Sequence, residues 1–161
     1  MDEKEMQKFI EKAYKDGKVR DLQEAFLEFP PDEEWHQGKL ENVICENNAF
    51  YGDSHNIGDI VFVREYKYPN GSIVRNHMFV IVAQNNIAVP IENFGMIISS
   101  NLKKTYYKKN ILLEKDSTNN LKKDSIVKTD VLYRILDKDI LFKVGVVEKD
   151  KIMEYINSFN N

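Results

Sequence analysis

The hydrophobic pattern in the middle of the chain predicts β structure. Two β-rich runs, residues 59–66 and 72–82, flank a Pro69-Asn70-Gly71 corner. Asn-Gly between apolar runs is a strong hairpin signal, because both residues tolerate the positive φ that a type I′ turn requires. Two more apolar runs follow at residues 87–91 and 96–98. They predict that the hairpin continues as a meander of short strands.

Apolar residues recur at helical spacing near both ends of the chain. The first helix is predicted to begin at Asp2, and a second to cover about residues 19–28. Pro30-Pro31 ends the second, because proline cannot donate a hydrogen bond to a continuing helix. A last helix is predicted with Asp150 as its cap. The apolar stripes of the first and last helices are Met6, Phe9, Ile10 and Ala13, and Ile152, Tyr155, Ile156 and Phe159.

Several short strands are predicted between the meander and the last helix. They cover residues 111–113, 125–127, 131–135 and 140–147, with a turn at residues 137–139. Short strands at close spacing, followed by one helix, predict an α+β fold that is mainly β. We expect a small, bent antiparallel barrel with a C-terminal helix, occupying residues 51–161. Residues 1–50 are predicted to form an acidic N-terminal helical extension.

Composition narrows the class of protein. With 161 residues, of which 42% are apolar, the chain can bury one core. It has neither an apolar run of about 18 residues, the length that spans a bilayer, nor a basic-then-apolar secretory signal. Cys45 is the only cysteine, and no Cys/His cluster has zinc spacing. We therefore expect a cytoplasmic protein without membrane association, structural metal or cofactor; a P-loop and a Gly-x-Gly-x-x-Gly motif are also absent from the sequence.

The charges are distributed unevenly. Residues 1–50 carry seven Lys or Arg against thirteen Asp or Glu, whereas residues 51–161 carry sixteen against thirteen. An acidic front segment on a mildly basic body fits an acidic interaction tail or a solvated helical face. Taken alone, the charge pattern favours the solvated face.

Five segments in order resemble the MazF/PemK toxin family of mRNA interferases. They are GDIVFV at residues 58–63, RNHMFVIV at 75–82, IISSN at 97–101, LKKDSIVKTDVLYRI at 121–135 and FKVGVVEKDKIMEYINSF at 142–159. The resemblance covers about residues 57–159. It implies an SH3-like barrel that forms a homodimer, cleaves single-stranded RNA without a metal and is neutralised by an antitoxin.

The resemblance also assigns candidate catalytic residues. Arg75 takes the place of the family's catalytic arginine, and Ser99 that of its catalytic threonine. A guanidinium stays protonated and fits a phosphate bidentately, while a hydroxyl donates a further hydrogen bond. His77 shares a strand face with Arg75 by the two-residue period, so it fits either an acid–base catalyst or a half-buried structural side chain.

Further residues are predicted to bind RNA or to cover the site. Lys67 and Tyr68, in a mobile hairpin over residues 66–74, would meet a phosphate and a base; Ser100, Lys103 and Lys104 would extend the RNA contact.

Residues 28–35 combine four carboxylates with two aromatics. They fit a phosphate mimic that covers the RNA groove in cis. The alternative is a helical subdomain that packs on the back of the barrel through Phe9, Phe26 and Phe29.

The sequence thus predicts a toxin-like endoribonuclease, a hydrolase that leaves a 2′,3′-cyclic phosphate. The alternative is a catalytically weak barrel of the same kind that acts as an RNA- or protein-binding module. Two features favour this alternative: Asn76 replaces the family's proline, and the family pattern does not explain the N-terminal third of the chain. Val131 is a further departure, because the family often has glutamine at that position.

Overall fold

A computed structural model describes residues 1–22, 24–25, 54–63, 66–67, 73–74, 77–100, 102 and 107–161. These residues contain two long helices, α1 (Glu3–Lys15) and α2 (Lys149–Asn160). They also contain ten strands: β1 (Val19–Asp21), β2 (Asp59–Val63), β3 (Tyr66–Lys67), β4 (Ile73–Val74), β5 (Met78–Asn85), β6 (Glu92–Ser99), β7 (Asn110–Leu113), β8 (Ser125–Lys128), β9 (Leu132–Leu136) and β10 (Ile140–Val146). The predicted class, α+β and mainly β, is confirmed.

Eight of the described strands form one mixed sheet. The order β1-β9-β6-β5-β2-β10 runs from edge to edge, and β8 joins β7 to β6. Strand β1 is parallel to β9, whereas the other described pairs in this sheet are antiparallel. Strands β3 and β4 form a separate hairpin. Within the described residues the sheet is not closed into a barrel, because β1 and β10 end its path without pairing with each other.

The core lies in two layers, one on each face of the sheet. On one face, which we call the helix face, α1 and α2 pack together, with the rings of Phe9 and Phe159 5.5 Å apart. Strand alternation sends Met78 and Val80 to this face and Phe79 to the opposite one. We call the opposite face the second face; its apolar cluster includes Phe79, Ile97, Tyr133 and Ala25. The central strands are therefore buried on both sides.

The first and last helices follow their sequence signals closely. Asp2 caps α1, where its side chain accepts a hydrogen bond of 2.8 Å from the backbone N–H of Glu5. The four residues of its predicted stripe are buried. In α2 the predicted stripe is also buried, but the N-cap is Glu148. The prediction of Asp150 as the cap is wrong, because the helix already begins at Lys149 and Asp150 lies in its first turn.

The prediction of a helix over residues 19–28 is wrong for its first three residues. Val19–Asp21 is the strand β1, whose Val19 stands opposite Leu132. The backbone N–H of Leu132 donates to the carbonyl of Lys18 at 2.8 Å, which ties the segment to β9. Tertiary pairing here overrides a weak helical preference. Residues 22, 24 and 25 are helical, while the rest of the predicted helix lies outside the described residues.

The strand predicted at residues 87–91 is also wrong. These residues belong to the connection between β5 and β6. Ile87 and Val89 are 69% and 98% exposed, so their apolar pattern does not mark a buried strand. Pro90 could not donate to a ladder at this position. The remaining strand predictions correspond to β6, β7, β8, β9 and β10.

The N-terminal residues that are described belong to the same core and sheet as the later strands. Helix α1 contributes Met6, Phe9, Ile10 and Ala13 to the cluster on the helix face, and β1 forms a sheet edge. The boundary predicted at residue 50 lies outside the described residues. None of the helices in the described part of the chain combines the length and apolar character needed to cross a bilayer.

Candidate functional site

The predicted site residues are described to different degrees. His77, Ser99 and Ser100 are described with their side chains. Lys67 is described only as a backbone position in β3. The predictions for Arg75, Tyr68, Lys103 and Lys104 fall outside the described residues.

One end of the sheet brings His77 and Ser99 together. Strand β2 ends there, and its last residue, Val63, donates its backbone N–H to the carbonyl of His77 at 2.9 Å. Strand β5 begins at the next residue, with Met78 opposite Ile98 of β6. Continuing this antiparallel register by one residue sets His77 opposite Ser99. Directly opposite residues have their Cβ atoms about 4.5–5.5 Å apart and point to the same face.

Both residues point to the second face of the sheet. Their strand neighbours on that side, Phe79 and Ile97, stand opposite each other and belong to the second-face cluster. The His77 ring packs edge-on against Phe79, with centroids 6.3 Å apart, and His77 is only 1% exposed. Ser99 and Ser100 are partly exposed. The two serines are therefore accessible from solvent, whereas the imidazole lies inside the sheet.

The β3–β4 hairpin arises at the same end of the sheet. Tyr66 pairs with Val74 and Lys67 with Ile73 in an antiparallel ladder. The hairpin lies between the end of β2 and the start of β5 along the chain, so its base adjoins His77. The predicted hairpin is thereby confirmed at its base. Its Asn70-Gly71 corner lies outside the described residues, and its mobility stays a prediction.

Strand β8 adds a lysine that the sequence analysis missed. β8 pairs with β6, with Ser99 opposite Ile126 and Ile98 opposite Val127. Lys128, at the end of β8, is only 7% exposed. The only sequence signal was the β character of residues 125–127, and that signal gives a face only once the register with β6 is known.

Three described groups have shifted pKa values, and two of them, Arg134 and Tyr14, lie at the opposite end of the sheet. Burial raises the pKa of Tyr155, which lies in α2 under the helix face. A hydrogen bond to Glu92 raises the pKa of Arg134, and burial raises that of Tyr14. Glu92 is the first residue of β6 and Ser99 the last, so the groups around Glu92 lie at the opposite end of the sheet from Ser99.

Comparison with known proteins adds no assignment. The chain matches no protein-family model, and no curated protein shows significant similarity to it.

Proposed function

We propose that the protein is a toxin-like endoribonuclease that cleaves single-stranded RNA without a metal. The observation that carries the proposal is the register that sets the partly exposed Ser99 opposite His77 at a sheet end next to the β3–β4 hairpin. The five sequence segments that resemble MazF/PemK toxins support it, because three of them, GDIVFV, RNHMFVIV and IISSN, meet at this end. Binding there would be governed by phosphate contacts.

The proposed reaction is an internal transesterification. The 2′-oxygen of the RNA attacks the adjacent phosphorus and loses its proton, the bond from phosphorus to the 5′-oxygen breaks, and that oxygen gains a proton. Arg75 neutralises the non-bridging oxygens, and the Ser99 hydroxyl donates a hydrogen bond to one of them. His77 lies opposite Ser99 but takes no direct part in the reaction, since its ring is too buried to reach RNA. The product ends are a 2′,3′-cyclic phosphate and a 5′-hydroxyl.

The remaining RNA contacts would follow the chain on either side of this centre. Lys67 and Tyr68 in the hairpin would hold a phosphate and a base, and Ser100, Lys103 and Lys104 would continue the path beyond Ser99. The proposed enzyme acts as a homodimer, which light scattering on the purified protein would test.

The decisive experiment is incubation of the full-length protein with a long single-stranded RNA in EDTA. We expect cleavage products that end in a 2′,3′-cyclic phosphate. Arg75→Ala should abolish cleavage, and Ser99→Ala should slow it about a hundredfold or more, the effect of one lost oxyanion donor. Ser99→Thr keeps the hydroxyl and serves as the matched control. Cleavage that continues at the wild-type rate in Arg75→Ala would refute the mechanism.

We further propose that residues 28–35 cover the site in cis. These residues lie outside the described part of the chain, but the residues before them give support. Leu22 and Ala25 pack against the cluster on the second face, the face to which Ser99 points. An acidic segment tethered so close would have a high effective concentration at a basic site. A separate antitoxin would present the same acidic chemistry in trans.

A substitution experiment tests the cover. The change Asp32→Asn with Glu33→Gln and Glu34→Gln should raise RNA cleavage and RNA affinity, because it removes the charges that mimic phosphate. The control replaces three exposed carboxylates of α1, Glu3, Glu5 and Glu11, with Gln. If both triple variants behave like the wild type, residues 28–35 have no covering role.

The burial of His77 favours the second candidate, a binding module without strong catalysis. Among the described residues at the site, no imidazole is exposed to act on RNA directly. Tight binding of single-stranded RNA without cleavage, by both the wild type and the variant with neutralised residues 32–34, would establish the module and exclude the nuclease.

A further inference from the structure

We propose that an apolar cavity on the helix face binds an aliphatic chain of medium length, as carried by a fatty acid or a fatty alcohol. The cavity lies at the end of the sheet remote from Ser99, where Val146 of β10 stands opposite Asp59 at the start of β2. This site is separate from the proposed RNA site, and binding of its ligand does not depend on RNA cleavage.

The cavity lies between the two helices and the sheet. The helices meet through Phe9 and Phe159, whose rings are 5.5 Å apart. Nearer the N-terminal ends of the helices, a space of about 440 Å³ is lined by Met6 of α1, Ile152 of α2 and Val82 of β5. We call this space the helix-end cavity.

The lining of the helix-end cavity is almost entirely aliphatic. Nine of the eleven residues around it are methionine, isoleucine or valine, and the other two are Glu148 and Lys149. Both charged residues are exposed to solvent. A sugar, a nucleotide or an extended peptide would leave hydrogen-bonding groups unpaired against the aliphatic side chains, which is costly. The lining thus selects a ligand whose buried part is a hydrocarbon and whose polar end stays beside Glu148 and Lys149.

The size of the helix-end cavity suits a small molecule. Its volume of about 440 Å³ falls within the range of about 300–1,000 Å³ that is usual for small-molecule sites. A cavity of about 150 Å³ already holds one benzene molecule, so this one has room for a chain of about ten carbons. A stable contact between two proteins instead needs about 800 Å² of surface on each partner.

The helix-end cavity is also accessible and adaptable. Met1 and Ile57 are 41% and 39% exposed, whereas Met6 and Ile152 are only 8% and 3% exposed. The lining therefore runs from an opening at the surface to a buried interior. Three of the lining residues are methionines, whose flexible side chains fit apolar ligands of varied shape. An aliphatic chain can enter from solvent and displace water from apolar walls, which favours binding.

Isothermal titration calorimetry on the full-length protein tests the site. The probes are hexanoate, octanoate, decanoate and octanol, each below the concentration at which it forms micelles. Each step of two methylenes along the acid series should raise the affinity about tenfold, because one buried methylene is worth about fourfold. Tighter binding of octanoate than of octanol would assign a carboxylate head to the ligand, and the reverse would assign a hydroxyl. Binding of none of the four probes would overturn the proposal.

NMR of the methionine methyl groups locates the bound chain. The chain has five methionines, of which Met1, Met6 and Met153 line the helix-end cavity. Met78 and Met96 belong to the same core but lie outside the lining. Decanoate should shift the methyl resonances of the first three and leave those of the other two in place. Shifts confined to Met78 and Met96 would place the ligand elsewhere and overturn the assignment.

Substitutions that fill the helix-end cavity provide a second test. Ile57→Trp and Met153→Trp should each weaken decanoate binding about tenfold or more, the loss of about two buried methylenes. Leu141→Trp is the matched control, because Leu141 is 43% exposed and lies outside the lining. Wild-type affinity in both folded filling variants would overturn the proposal. If neither filling variant folds, the methyl shifts of the wild type decide.

Light scattering on the filling variants covers the other possible occupant, a second copy of this chain. We expect Ile57→Trp and Met153→Trp to leave the oligomeric state of the wild type unchanged. A dimer that dissociates on either substitution would assign the helix-end cavity to a contact between subunits and overturn its role as a ligand site.

Discussion

Gly145→Ala should be one of the most damaging single-methyl changes in this protein. Gly145 lies in β10, where a loop crosses it closely. A Cβ atom added at this position would stand 2.5 Å from the carbonyl carbon of Asn119 and 2.8 Å from the carbonyl oxygen of Thr118. These are backbone atoms, so they cannot turn aside as the end of a flexible side chain could.

The loop is also tied to β10 on both sides of Gly145. The N–H of Val146 donates to the carbonyl of Thr118 at 3.0 Å, and the side chain of Asn120 donates to the carbonyl of Val144 at 3.1 Å. Overpacking costs about 1–3 kcal/mol, and loss of two hydrogen bonds about 1 kcal/mol each. We therefore expect Gly145→Ala to lower the free energy of unfolding by about 3–5 kcal/mol.

Urea unfolding followed by far-UV circular dichroism measures this loss. Gly17→Ala is the matched control, because Gly17 has a φ of +70° but nothing within 4 Å of the added Cβ. It should cost about 1 kcal/mol, the strain of a left-handed residue. If Gly145→Ala proves no more destabilising than Gly17→Ala at an unchanged m-value, the close approach of the loop to β10 is not a tight constraint.

Two further predictions concern the far end of the sheet and the RNA path. Asn93→Ala should lower stability by about 2–4 kcal/mol, because the buried amide donates to the carbonyl of Ile135 at 3.1 Å and to Asp137 at 2.8 Å. Thermal unfolding checks this, with the exposed Asn86→Ala as a control that should change little. Tyr107→Ala should weaken binding of single-stranded RNA about 5- to 150-fold, the effect of losing one stacked base, because this tyrosine is 52% exposed in the loop just before β7. Equal affinity of the variant and the wild type in fluorescence anisotropy would remove Tyr107 from the RNA path.

Elements that depend on local signals could be predicted from the sequence. Helix α1 combines a capping aspartate with an apolar stripe, so its start and its buried side both follow from neighbouring residues. The three-residue β1 could not be found in this way, because its pairing partner β9 begins at Leu132, far along the chain. The apolar residues Ile87 and Val89 produced the opposite error, a predicted strand that does not exist. They are exposed, and apolar residues indicate a strand only where their side chains are buried.

The distinction between local signals and long-range strand pairing also applies to the candidate site. The pairing of residues 77 and 99 needed the antiparallel register of β5 with β6, which the meander signal suggested but did not fix. The face of Lys128 needed two registers, those of β8 with β6 and with β7. A one-residue slip in either would turn the lysine to the other side of the sheet. For this reason the resemblance could identify Ser99 whereas the lysine beside it went unnoticed.

The path of the N-terminal residues determines how the proposed cover can be examined. Ala13 is buried on the helix face and Ala25 on the second face, so the chain passes from one face to the other at the edge strand β1. Asp21 stands opposite Arg134, near the end of the sheet that is remote from Ser99. Strand β6, with 8 residues, spans about 26 Å between these ends.

The segment after Ala25 is long enough to cover that distance. Residues 26–35 could span up to about 33–36 Å if fully extended, so the acidic stretch can reach Ser99 along the second face. Deletion of residues 1–50 would also remove α1 and β1, and with them Phe9 from its contact with Phe159. A truncated protein would therefore lose activity by unfolding even if the cover were real. Neutralising residues 32–34 leaves both elements in place, so a rise in RNA cleavage after that change can be attributed to the cover itself.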